Sequence, residues 1–127
     1  MSRFFWICLG GAVGTGARYI LAGWAIALLG TAFPFGTLLI NVLGSFGISL
    51  VMHLALSAKL IAPTLRLTLT TGLLGGFTTY STFNYETLAY LREGNWAVAI
   101  TSVAATVLLC LAAGLAGVAV GRALVGT

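Results

Sequence analysis

Charge is so scarce along this chain that no water-soluble globule can be built from it. Six basic and two acidic side chains serve 127 residues, and 60% of the residues are hydrophobic. A soluble domain carries about a quarter charged residues. With a mean hydropathy of +1.10, the chain has too little polar surface to face water, so its solvent is the lipid bilayer. A span needs about 20 residues. The expected organisation is therefore all-α, one four-span membrane domain over residues 1–127, with no separate soluble domain.

The spans follow from the interruptions. Residues 3–29 form the first, and Met1-Ser2-Arg3 is read as its start rather than as a signal peptide, because no small-residue cleavage site leads into a polar chain. Pro34 suits the start of the second, 35–56. The hydrophilic loop with Lys59 and Pro63 precedes the third, 65–91, which is long for a single crossing. Arg92-Glu93-Gly94-Asn95 turns the chain into the fourth, 97–124, opened by an interfacial Trp96. Arg3, Lys59, Arg66 and Arg122 then share one side, and Arg92 stands on the other. The net charge of +4 speaks for topology and anion preference, not for nucleic acid.

The third span holds the unusual stretch, residues 70–83. It reads Thr-Thr-Gly-Leu-Leu-Gly-Gly-Phe-Thr-Thr-Tyr-Ser-Thr-Phe. Gly75-Gly76 predicts a helix break near 75–79, since glycine lacks a side chain to hold the helical well. A break frees carbonyls and amides that lipid cannot satisfy. Helix packing through small residues is the plainer reading of such glycines, and Gly10 and Gly14 form a small-xxx-small pair of that kind.

Catalysis has no residues to work with. One His, two acids and two cysteines, Cys8 and Cys110, form no metal-ligand spacing, phosphate loop or nucleophile elbow. His53 reads as interfacial and Glu86 as structural. Arg18, costly within a span, must snorkel, pair with an acid or face water. What remains is a set of neutral donors: Asn41, Thr78, Thr79, Ser81, Thr82, Ser102 and Thr106. Asn41, Gly44, Ser45 and Ile48 fall on one face of the second span. Ser102, Thr106 and Cys110 line up four apart on the fourth. Phe77, Tyr80 and Phe83 are interleaved, and an aromatic ring has a positive edge. Neutral donors and ring edges suit passage of a small, strongly hydrated anion that must also leave.

Three motifs carry a resemblance. Gly10-Gly11-Ala12-Val13-Gly14 with Arg18-Tyr19, Gly36-Thr37 leading to Asn41 and Gly44, and Thr71-Gly72-Leu73-Leu74-Gly75-Gly76-Phe77-Thr78-Thr79-Tyr80-Ser81-Thr82-Phe83 resemble the bacterial Fluc (CrcB-type) fluoride channels over essentially the whole chain. The resemblance implies an antiparallel, dual-topology homodimer with two pores in the bacterial inner membrane. It implies passive, selective fluoride conduction that lowers cytoplasmic fluoride. It also implies a structural, untransported sodium ion at the dimer centre, on the backbone carbonyls of Gly75 and Thr78 from both subunits. The fluoride pathway it implies runs along Asn41, Tyr80, Ser81, Thr82, Phe83, Ser102 and Thr106, with Arg18 a structural charge. Two positions depart from the pattern. Tyr80 stands where phenylalanine is usual, and Cys110, a weak donor, stands where serine is common. Small drug exporters, also of four spans, need an acid in the first span, where this chain has Arg18 and no acid.

Overall fold

The computed structural model describes residues 1–126, and every regular element among them is helical. Helix α1 (Ser2–Leu29) ends at Gly30, whose φ of 78° is one that a side chain would resist. Helix α2 (Phe35–Met52) runs on without a stop into a wider π-helical turn, His53–Ser57. Helix α3 (Pro63–Leu67) opens on Pro63, whose fixed φ is preorganised for a first turn. It continues through a π-helical stretch, Thr68–Leu74, into the short α4 (Gly75–Phe77). Two extended residues follow, then α5 (Tyr80–Arg92). Helix α6 (Trp96–Val125) closes the fold at Gly126, which has a left-handed φ of 70°.

Among the described residues three helices are long and apolar enough to cross a bilayer unaided: Ser2–Leu29, Phe35–Ser57 and Trp96–Val125. The interrupted segment 63–92 is a fourth helical run of comparable length, made of pieces each too short to cross alone. The helix is broken within the expected 75–79, but not by the glycines. Gly75 has ordinary helical angles (φ −64°, ψ −39°), whereas Thr78 (ψ 156°) and Thr79 (φ −152°, ψ 107°) are extended.

The glycines are occupied with packing. Segment 63–77 lies alongside α1 with backbone nearly on backbone. A Cβ at Gly72 would stand 2.7 Å from the Ile7 carbonyl oxygen, and one at Gly10 would stand 2.6 Å from that of Thr68. At Gly14 it would collide with the Leu73 carbonyl, and at Gly76 with that of Gly11. Helices α2 and α6 meet in the same manner, with Gly117 against the Phe46 carbonyl and Gly121 against the His53 ring. Close approach through small residues replaces the hydrophobic drive that lipid removes. The interior is accordingly thin. Ile40 is the one large side chain fully enclosed among the described residues, while Leu108 and Leu115 on α6 are 66% and 74% exposed, a surface suited to lipid tails.

Candidate functional site

The break in segment 63–92 organises the site. In a continuous helix the Thr79 amide would bond the Gly75 carbonyl. Here it donates to Asn41 Oδ1 at 2.9 Å, and Asn41 Nδ2 donates back to the Thr79 carbonyl at 3.1 Å. One amide side chain on α2 thus grips both polar groups of an extended, buried residue. Thr79 also caps α5. Its Oγ1 accepts from the Thr82 amide at 3.2 Å and donates to Thr82 Oγ1 at 3.0 Å, with Ser81 Oγ 3.4 Å away. Thr78 turns its hydroxyl back to the Leu74 carbonyl at 2.9 Å and presses its methyl group against Gly44, where no side chain would fit.

A broken helix presents two unlike ends. The carboxyl end at Phe77 offers carbonyls without helical donors and a partial negative charge, which suits a cation. The amino end at Tyr80 offers free amides and a partial positive charge, which suits an anion. Both ends fall within one span, with the hydroxyls of Thr79, Ser81 and Thr82 on the amino side.

Beside the break runs a groove of about 970 Å³ between α2, the end of segment 63–77, α5 and α6. Asn41, Ser45, Gly75, Thr78, Tyr80 and Phe83 line it, as do Thr106 and Cys110 from α6. The rings of Tyr80 and Phe83 lie 5.8 Å apart between centroids, tilted by 55°. Across the Asn41–Thr79 clamp lies a second cavity of about 280 Å³, walled by Thr15, Arg18, Tyr19, Thr37, Ile40, Thr79 and Thr82. Arg18 Nε is buried in its wall with no hydrogen-bond partner. Glu86, an acid available to Arg18, instead accepts from Thr37 Oγ1 at 2.9 Å through Oε1.

The chain is similar to known proteins over nearly its whole length. Residues 5–118 match the family described as CrcB-like protein, Camphor Resistance (CrcB). The chain belongs to the CrcB-like family. It is similar to proteins named fluoride-specific ion channel FluC. That of Sorangium cellulosum is 48% identical over 98% of each chain. That of Anaeromyxobacter dehalogenans is 50% identical over 99% of this chain and 100% of its own. That of Geobacter sulfurreducens is 50% identical over 98% and 100%. These CrcB-like relatives are ion channels by name, not enzymes.

Within this CrcB-like chain the expected site residues do not all gather in one place. Asn41, Tyr80, Phe83 and Thr106 line the groove together with Gly75 and Thr78. Thr82 lines the smaller cavity with Arg18, and Ser81 is exposed beside Thr79. Ser102 lies one turn before Thr106 on the same face of α6. It is 2% exposed and reaches neither cavity, so only Thr106 and Cys110 of that row reach the groove. Cys8 is exposed and free. Thr15 and Thr37 lie outside the expected donor set, although helical spacing carries a signal for both. Thr15 lies three residues before Arg18 and Thr37 four before Asn41, so each pair shares a face. The hydroxyls also sort themselves. Those of Thr68, Thr70, Thr78 and Thr87 bond back to carbonyls of their own segment, as helix hydroxyls commonly do. Those of Ser81 and Thr82 each pair with the hydroxyl of Thr79.

Proposed function

We propose that this chain is a fluoride-selective passive channel of the bacterial inner membrane. It works as an antiparallel, dual-topology homodimer and lowers cytoplasmic fluoride, so protecting the cell from its toxicity. The observation that carries the reading is the polarity of the broken span, taken with relatives of about half identity whose name is fluoride-specific ion channel. The amino end of α5 gathers hydroxyls, ring edges and an amide where an anion would shed part of its water. Arg18 in the wall of the smaller cavity adds a positive charge beside Thr82. Asn41, Tyr80, Ser81, Thr82, Phe83 and Thr106 are assigned to the fluoride path through side chains. Ser102 joins them only in the coarser sense of lying on the same face of α6.

A structural sodium ion fits the opposite end. Gly75 has lost the Thr79 amide as a donor, Thr78 is extended, and both residues face the groove. Unwound carbonyls at a half-helix carboxyl end are a recurring sodium site in membrane proteins. One chain offers two such residues, and a second copy across the groove doubles the set. When bound, the ion supplies fixed positive charge that raises the local potential for an anion. The protein's own residues do the rest. Asn41 holds the break open, and Thr79 orients the first turn of α5.

Purified protein in liposomes loaded with fluoride or chloride tests the reading with ion-selective electrodes. Fast fluoride release with chloride retained is expected, and retention of both ions sinks the channel. Phe83→Ile is expected to abolish release while the dimer persists in size-exclusion chromatography. Replacing sodium on both sides by a large organic cation is expected to slow fluoride release, with no sodium crossing. Unchanged release removes the sodium ion from the proposal while leaving the channel standing.

A further inference from the structure

The two ends of the bundle differ sharply in charge. Gly72 packs on Ile7, so Arg3, one turn before Ile7, and Arg66, six residues before Gly72, lie about 6 and 9 Å toward the same end. Gly121 packs on His53, which places Arg122 there too, and Lys59 follows the π-helical turn that begins at His53. This end therefore gathers Arg3, Lys59, Arg66 and Arg122 without an acid. The opposite end sets Arg92 beside Glu93.

The basic end is built as well as charged. Lys59 is the only non-glycine residue with positive φ (54°) among the described residues. It is held there between the Ala58 amide on the His53 carbonyl (3.3 Å) and the Leu60 amide on the Leu54 carbonyl (3.0 Å). Arg3, Lys59 and Arg122 are exposed and Arg66 is half-buried. Around them Phe4 (67% exposed), Trp6 (46%) and Leu60 (67%) present apolar surface. Cations beside exposed aromatic and aliphatic side chains match the layered chemistry of a bilayer interface, with phosphates above acyl chains.

We propose that this end is a binding surface for the headgroups of anionic phospholipids. Arg3, Arg66 and Arg122 take the phosphates, for which the guanidinium fork is shaped. Lys59 serves as a point charge from a fixed loop, and Trp6 and Leu60 seat at the acyl boundary. The inference rests on the chain's membrane embedding and not on the fluoride reading, so either can fail alone.

Native mass spectrometry of the detergent-purified full chain, titrated with phosphatidylglycerol or phosphatidylcholine, tests it. The wild type is expected to retain phosphatidylglycerol preferentially. Lys59→Gln and Arg122→Gln are each expected to weaken that retention about fivefold, with Arg92→Gln unchanged. Their melting temperatures serve as the folding control, since both side chains are exposed. Inorganic phosphate is expected not to displace the lipid. Equal retention of the two lipids overturns the proposal, as does an equal loss in Arg92→Gln or displacement by phosphate alone.

Discussion

The two halves of the interrupted span, 63–77 and α5, are one stretch of sequence put to opposite uses. The first half is locked to α1 by glycines, and Thr68, Thr70 and Thr78 turn their hydroxyls back on its own carbonyls. What it offers outward is backbone. The second half has no buried residue, and its first turn offers side chains: Tyr80, Ser81, Thr82 and Phe83. Between them Thr78 and Thr79 are extended, and Asn41 holds Thr79 from outside the span. A helix can thus present a carbonyl end and an amide end within a few residues, provided that one half is fixed and a neighbour satisfies the joint.

The comparison can be broken at the joint, within the fixed half, at the cap and at the groove. Asn41→Leu is expected to have the largest effect. It orphans the amide and carbonyl of Thr79, each at about 1–3 kcal/mol. Thermal melting in detergent should fall well below that of the wild type. Gly14→Ala comes next, because its methyl group meets the Leu73 carbonyl and overpacking costs about 1–3 kcal/mol, read by the same melt. Thr79→Ala removes the cap on Thr82 at about 1 kcal/mol and is expected to slow fluoride flux in liposomes, with Thr79→Ser restoring both. Gly75→Ala is the smallest. A Cβ there meets only the Thr70 carbonyl at 3.5 Å, so the melt should shift within about 0.5 kcal/mol. A Gly75→Ala protein as damaged as Gly14→Ala would erase the distinction between the halves.

Much of this was legible in the sequence. The spans expected at 3–29, 35–56 and 97–124 match α1, α2 with its π-helical turn, and α6 within a residue or two, because charge and turn residues punctuate an otherwise apolar chain. The break was legible by place and misassigned by cause. Gly75-Gly76 look like helix breakers in isolation, but Gly76 is needed against Gly11 and Gly75 stays helical. The extended pair is two threonines, stabilised by a residue nearly forty positions away in sequence. No local rule sees such a partner. Ser102 shows the converse limit. Its spacing placed it in a row with Thr106 and Cys110, yet helical periodicity defines a face without saying how far along that face a groove extends. The cavity around Arg18 was hidden for a similar reason, since its hydroxyls come from α1, α2 and the joint together.

The thin interior has a consequence for how this chain tolerates change. With Ile40 alone fully enclosed among large side chains, little weight rests on bulk. Its structural information is held by atoms that are missing, at Gly10, Gly14, Gly72, Gly76, Gly117 and Gly121. An alanine scan of its aliphatic side chains would leave most of the fold's determinants unseen. A scan that adds one methyl group at a time would draw its map.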